Sequence, residues 1–375
     1  MISLQACRGQ TTTPATIGVL DAEKVGPSVW RSVGGLGPLI NELSEEGGYF
    51  DTNNLISNET SYLHVMEGLT ALGLEGGVYL GVGPDQNYSY IARLKPRLAF
   101  ILDIRKDNLL EHLYYKALFT LSEDRVSYLC LMFGKACATD LAAVPERLDS
   151  LLSYVEAQPS TSSSIAESSR RIENQVHSFG IVPTGEGLDQ IMRIHRVFVE
   201  QGLALRFTSH GRPPQSYYPT YRQLLLAQDR SGNRANYLAF ERDYRFLRAM
   251  QMEDRIVPVV ADLSGSQALH RVAELIRAVG LNVTAFYTSN VEFYLMRGQQ
   301  FERYANNIAF LPWHPNGVII RSYFNRFSTG HPLTLPGHAS TQILQRANDF
   351  MDAYRAGALQ SYGDLLDHFE PVDRE

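Results

Sequence analysis

Apolar residues recur along this chain in two rhythms: short unbroken runs closed by a polar residue, which suit buried strands, and runs spaced by three and four, which suit one helix face. The first clear run, Val78-Tyr79-Leu80 with Val82, passes through Gly81 and Gly83 into a helix-like stretch, QNYSYIARL, and a second run, Leu98 to Leu102, ends on Asp103. Strand, tight turn, helix, strand and acid follow one another. That is the layout by which an α/β protein holds a nucleoside: glycines let the backbone approach the ligand, and a carboxylate about 20 residues on accepts from ribose hydroxyls.

Before this stretch, residues to about Gly48 mix Gly, Thr and Pro with short apolar pieces, and predict an irregular N-terminal arm with one short helix. Next comes the polar cluster Asp51 to Glu59, and then Leu63, Val65, Met66, Leu69 and Leu72 at helical spacing, with Ser57 or Asn58 as the cap and Gly73 as the stop. After Asp103 the period turns helical on either side of Ser122, and GLDQIMRIHRVFVEQG is a further amphipathic helix. Between them QPSTSSSIAESS reads as a Ser/Thr-rich mobile connection. HGRPPQSYYPTY follows as an irregular loop, whose Arg212, Tyr217, Tyr218 and Tyr221 either line a lid or stay in solvent.

Strand and helix alternate again from Tyr237. RIVPVVADL is a strand running to Asp262, QALHRVAELIRAVG a helix, NVTAFYTSN a strand, VEFYLMRGQQFERYANN a helix, GVIIRSYF a fifth strand and STQILQRANDFMDAYRAG a last helix. The expectation is an α/β fold: a Rossmann-like, doubly wound, mostly parallel sheet with a helical insertion between the second and third strands. Residues 1–48 form the arm, 49–106 and 235–375 the core, and 107–234 an insertion or lid at the carboxyl ends of the strands.

Composition narrows the ligand. With 44% hydrophobic residues the chain can bury a proper core, while a net charge of -6 gives no basic excess to displace counterions from nucleic acid. A small-molecule partner fits better. Cys7, Cys130 and Cys137 make an odd number with no CxxC pair, so no disulfide framework or zinc knuckle is expected and a reducing, cytoplasmic setting fits. No apolar run approaches the roughly 18 residues of a membrane helix, and Leu4-Gln5-Ala6-Cys7 lacks the apolar segment that a lipoprotein signal needs. The ten histidines show no metal-ligand spacing.

In GVGPDQ the third glycine of a dinucleotide fingerprint is Gln86, and Asp85 sets a negative charge where a pyrophosphate would meet the helix N-terminus. NAD, FAD and ATP are therefore disfavoured, and with them a nicotinamide-dependent oxidoreductase. A cationic nucleoside such as S-adenosyl-L-methionine suits the turn. Here the sequence resembles the class I S-adenosylmethionine-dependent methyltransferases: Gly81-Val82-Gly83 matches their first-strand turn, Asp103 their ribose acid, and Asp262 in VVADL an acid that meets the adenine amino group. Their Asn/Asp-Pro-Pro-aromatic signature is absent from the fourth strand, where Tyr287-Thr288-Ser289-Asn290-Val291-Glu292 stands instead. Through FDTNNLISNETSYLHV, YLGVGPDQNYSYIA, PVVADLSG and AFYTSNVEFYL the chain also resembles a poorly characterised family of bacterial proteins with this methyltransferase-like fold, over roughly residues 30 to 330. That resemblance supplies a fold and no reaction.

Gly81, Gly83, Asp85, Gln86, Asn87, Asp103 and Asp262 are thus the candidate cofactor-binding residues, and Tyr287, Ser289, Asn290, Glu292, Asn58 and Glu59 the candidate catalytic ones. Asn54 and Tyr62 belong to the same polar loop, expected to fold over the site. Plainer uses stand beside these: Asp262 as a helix cap, Ser289 or Asn290 as an N-cap, and Ser57 or Asn58 likewise. The expected function is an S-adenosylmethionine-dependent transferase on a small molecule, by methyl transfer. Aminocarboxypropyl transfer or cyclisation, and a non-catalytic nucleoside-binding protein of the same fold, remain the alternatives.

Overall fold

A computed structural model describes residue 30 and residues 34–137, 144–181, 185–210, 215–324 and 330–369. Its centre is a six-stranded sheet in the order β3-β2-β1-β4-β5-β6. The strands are β1 (Val78–Val82), β2 (Leu98–Asp103), β3 (Ile256–Val260), β4 (Val283–Ser289), β5 (Trp313–Phe324) and β6 (Ser340–Arg346). All neighbours run parallel except β5 and β6, which are antiparallel. β1, β2 and β3 are apolar runs buried almost throughout, as strands covered by helices should be. Pro258, which cannot donate to a ladder, sits in β3 at the sheet edge, where that donor is not needed.

The first helix, α1 (Leu36–Leu43), packs on β3, and the residues after it guard that edge. Glu45 N donates to Val260 O at 3.1 Å and Val260 N to Ser44 Oγ at 3.1 Å. Part of the expected arm is therefore bound into the sheet edge. The next helices are α2 (Met66–Ala71) and α3 (Gln86–Leu94), which precede and follow β1 in the chain and pack against each other. Ser57 and Asn58 do not cap α2, whose N-cap is Val65; Ser57 Oγ instead accepts from Glu59 N within the loop.

Between β2 and β3 the chain is helical: α4 (Lys106–Leu121), α5 (Arg125–Met132), α6 (Leu148–Ala157), α7 (Ser162–Ser178), α8 (Glu186–Gln201), α9 (Tyr221–Leu225) and α10 (Glu241–Met252). α4 lies on β2 and β3 and is buried over most of its surface. The apolar side chains of this stretch and most of those of the sheet form one continuous core, while Tyr323 of β5 and Ile343 of β6 belong to a small second cluster with Leu366. After β3 come α11 (Ala268–Ala278), α12 (Val291–Arg297), α13 (Phe301–Phe310), α14 (Ala347–Arg355) and α15 (Tyr362–Asp367).

Three expectations need correction. The Ser-rich stretch forms the start of α7, because Thr161 and Ser164 make a reciprocal capping box and Ser168, Ile172 and Val176 bury one face. The expected last helix begins as a strand: Ser340 to Arg346 pair with β5, and helix starts only at Ala347. Cys130 and Cys137 are joined as a disulfide, with Cα atoms 6.1 Å apart, so the odd count concealed a single pair and no longer argues for a reducing compartment. No described helix is long and apolar enough to cross a membrane. Cys7 and Arg212 lie outside the described residues.

Candidate functional site

Parallel registry brings the carboxyl ends of the central strands to one edge: Val82 pairs with Leu102, Asp103 with Val260, and Gly81 with Tyr287. A cavity of about 290 Å³ opens there. Its wall draws on β1 and its turn (Val82, Gly83, Gln86), the end of β2 (Asp103, Arg105), the residues after β3 (Ala261, Asp262) and the end of β4 (Ser289, Asn290). The stretch from Tyr49 to Glu59 closes it, through Asn54, Ser57, Asn58 and Glu59. No described residue between 106 and 260 lines it.

Of the thirteen candidate residues, Gly83, Gln86, Asp103, Asp262, Ser289, Asn290, Asn58 and Glu59 line the cavity directly. Gly81, Asp85, Asn87, Tyr287 and Glu292 do not. Asn87 is fully buried and clamps the turn, its Nδ2 donating to Val82 O, Gly83 O and Pro84 O at 2.9, 3.2 and 2.8 Å while its Oδ1 accepts from Tyr79 OH. Gly81 makes room for that clamp: a Cβ there would stand 1.9 Å from Asn87 Oδ1 and 2.7 Å from the Tyr79 ring. Gly81→Ala is expected to destabilise the fold by about 1–3 kcal/mol through overpacking and to disturb the turn, lowering Tm and ligand affinity together. A variant melting and binding like wild type would refute the clamp.

Gly83 has a φ of +84°, a conformation glycine adopts without strain. Its carbonyl is also held by His112, a residue the sequence reading passed over, whose Nε2 lies 2.9 Å away. A carbonyl only accepts, so His112 carries its proton on Nε2 and Nδ1 accepts from Tyr88 OH at 2.9 Å. Burial, opposed by the Gly83 bond, lowers the imidazole pKa to about 4 and keeps the ring neutral.

Asp85 faces away from the cavity. Its Oδ2 accepts from Tyr221 OH at 2.8 Å and Tyr237 OH at 3.1 Å, and burial raises its pKa to about 6 against those two bonds. The expectation that Asp85 meets the ligand is corrected by this placement, as is the solvated reading of Tyr221, which is buried. Glu292 is likewise removed from the site. It is fully buried and pairs with Arg321 through Nε–Oε2 at 2.7 Å and Nη2–Oε1 at 3.0 Å, and Tyr304 OH donates to it at 2.8 Å. Tyr62, expected at the loop, is in the core with its hydroxyl on Leu224 O.

The acids that remain in the cavity differ in their vacancies. Asp103 Oδ1 accepts from Arg105 N and Nε at 2.8 and 3.0 Å, and Oδ2 from Nη2 at 2.7 Å. By lone-pair count Oδ1 is full and Oδ2 can take one more donor. Arg105 Nη1 also donates to Asn53 O at 2.7 Å and Thr52 O at 3.3 Å, which fastens the closing loop to β2. Asp262 uses Oδ1 for Ser264 N and Oγ, both at 2.8 Å, as an ordinary turn acid would. Its backbone N is held by Glu45 Oε1 at 2.7 Å.

Glu59 is buried and, among the described residues, pairs with no cation. Oε1 accepts from Ser289 Oγ at 2.5 Å, and Oε2 from Tyr287 OH at 2.6 Å and Gln342 Nε2 at 2.7 Å. Desolvation raises its pKa, and the hydrogen bonds from Ser289, Tyr287 and Gln342 oppose the shift. Ser289 has a φ of +52° and Asn54 of +53°, so two non-glycine residues facing the cavity hold a left-handed backbone. For serine that conformation costs on the order of 1 kcal/mol, which the bond to Glu59 helps to offset. Phe50 and Tyr294 meet edge to face at 5.0 Å on the cavity wall, beside the largely exposed Tyr49.

The sequence reading did not single out Arg105, Gln342, Phe50 or Tyr49. Only Arg105 left a signal, as a cation two positions beyond a strand-end acid. A family model described as a domain of unknown function (DUF7790) matches residues 55–361. No curated protein matches the chain.

Proposed function

This chain belongs to the DUF7790 family, and we propose that it binds S-adenosyl-L-methionine in the strand-end cavity and transfers its methyl group to a small molecule. The observation that carries the reading is the convergence of Gly83, Gln86, Asp103 and Asp262, from three consecutive strand ends of a mostly parallel sheet, on one cavity. Strand order 3-2-1-4-5 with a cavity at the carboxyl edge supports a Rossmann-like description.

The residues fit such a ligand. Asp103 Oδ2 has one lone pair for a ribose hydroxyl, and Ala261, Asp262 and Leu263 offer an apolar wall with a carboxylate beside it for a base. Gln86 Oε1 is buried without a donor. Charge favours a cation over a diphosphate: the lining carries Glu59, Asp103 and Asp262, and its single cation among the described residues, Arg105, is spent on Asp103. Asp85, turned to Tyr221 and Tyr237, does not contribute to the charge of this lining. Bound S-adenosylmethionine would supply an electrophilic methyl group; the chain's part is to hold the acceptor in line and to exclude water, so no strong base is required.

Calorimetric titration with S-adenosylmethionine, S-adenosylhomocysteine and NAD tests the reading. The two adenosyl ligands are expected to bind and NAD not, and Asp103→Ala is expected to weaken the former by about tenfold or more. Binding by none of the three, or an Asp103→Ala variant that binds as wild type, would end the nucleoside assignment. With an acceptor present, S-adenosylhomocysteine is the expected sulfur product; methylthioadenosine would exclude methyl transfer.

A further inference from the structure

Two buried amide oxygens near Glu59 have no donor. Gln86 Nε2 donates to Tyr287 OH at 3.3 Å and Gln342 Nε2 donates to Glu59, while Gln86 Oε1 and Gln342 Oε1 make no hydrogen bond. Neither amide can be turned to relieve this. When Glu59 is ionised it only accepts, so Tyr287 then gives it its single proton and can only accept from Gln86. Turning Gln342 would set its oxygen against the carboxylate. The carboxylate thus orients a chain of groups that ends in surplus acceptors.

Surplus acceptors around a buried anion call for a ligand rich in N–H and positive in charge. Glu59 and Gln86 line the cavity at its β1–β4 side, Asp262 marks its β3 side, and among the described residues no cation pairs with Glu59. We propose that the corner formed by Glu59 and Gln86 is an amine-recognition subsite that takes a protonated primary amine, with Tyr287, Ser289 and Gln342 as positioning residues for the Glu59 carboxylate. An ammonium group brings three donors and one charge, against one carboxylate and the unpaired Gln86 oxygen. The orphaned acceptor and the unpaired anion are met by one group. Burial favours the same pairing, since Glu59 is held above the usual carboxylate range by desolvation and a cation beside it would lower it again.

The subsite deepens the S-adenosylmethionine reading but does not need it, because the amine can belong to the amino-acid end of that ligand or to a separate acceptor. Titration of the full chain with S-adenosylhomocysteine, with methylthioadenosine, which lacks the amino-acid end, and with propylammonium separates the sources. Glu59→Gln is the variant: its oxygen can keep Tyr287 and Gln342, and its amide can donate to Ser289 Oγ.

If the amine is the cofactor's, S-adenosylhomocysteine binds about tenfold or more tighter than methylthioadenosine, and Glu59→Gln erases that gap without changing methylthioadenosine affinity. If it is the acceptor's, the gap survives, while propylammonium binds wild type and loses about tenfold or more in the variant. Propylammonium binding that depends on Glu59 while no adenosyl compound binds would uphold the subsite and defeat only the nucleoside reading. The proposal is overturned if a Glu59→Gln protein that melts like wild type binds all three probes as wild type does, or if wild type shows neither the gap nor propylammonium binding. Should Glu59→Gln fail to fold, Gln86→Leu takes its place with the same readouts, expected to weaken amine binding without abolishing it; unchanged amine binding overturns the proposal equally.

Discussion

Glu292→Ala is expected to destabilise the protein by about 3–5 kcal/mol, a fall in Tm of roughly 4–6 °C for a chain of this length. The magnitude follows from burial. Arg321 and Glu292 are both fully shielded from solvent, and removing the carboxylate leaves the guanidinium with Gln345 Oε1 as its remaining side-chain partner among the described residues and takes from the Tyr304 hydroxyl its carboxylate acceptor. Replacing both charges by apolar side chains, Glu292→Met with Arg321→Met, is expected to cost less than Glu292→Ala alone, because the uncompensated charge goes too. Differential scanning calorimetry of the two singles and the double gives the coupling. A Glu292→Ala protein with wild-type Tm but no turnover would return Glu292 to the catalytic group in which its sequence position had placed it.

The misplacement of Glu292 has a physical origin. It stands two residues past Asn290, where a strand-end acid would face a ligand, and Arg321 on β5 and the tyrosine on α13 turn it inward. β6 itself was hard to read. Ser340 to Arg346 contains Gln, Leu and Arg, good helix formers, and runs straight into a true helix at Ala347; pairing with β5 overrides that local preference. Two of its polar residues, Gln342 and Gln345, are buried because each meets a buried charge, Glu59 and Arg321. No single-strand pattern carries that information.

What could be read locally was what local geometry decides. The strand ends at Gly83, Asp103, Asp262 and Ser289 are consequences of short apolar runs closed by polar residues, and parallel pairing then lines them up along one edge. The excess of Asn, Ser and Glu between Asp51 and Glu59 pointed to a loop over the site, and Asn54, Asn58 and Glu59 do line it. Side-chain direction was not legible. Asp85 and Gln86 are adjacent at the start of α3, yet one turns to buried tyrosines and the other to the cavity. Which way each faces depends on Tyr221 and Tyr237, both more than a hundred residues away.

Asp85 sets the second large effect, on the pH dependence of stability. Its folded pKa is about 6 against 3.8 for the free side chain, because burial outweighs the hydrogen bonds from Tyr221 and Tyr237. Below pH 3.8 both states hold the proton and Asp85 imposes no penalty. Between about pH 4 and pH 6 the unfolded chain ionises while the native one resists, so stability falls as pH rises; above 6 the loss is complete and constant. The shift of about 2 units corresponds to roughly 3 kcal/mol. Asp85→Asn keeps an acceptor for the two hydroxyls and removes the charge, so the variant is expected to gain on wild type across that window and to stay more stable at pH 7. The buried Glu111 strengthens the contrast, since Asp85 helps to raise its pKa and the substitution relieves that too. Urea denaturation at pH 4, 5, 6 and 7 gives the difference curve directly. A constant difference over that range would mean that Asp85 titrates normally, and Asp85→Ala, which removes the acceptor of both hydroxyls along with the charge, is expected to gain less than Asp85→Asn at every pH where Asp85→Asn gains.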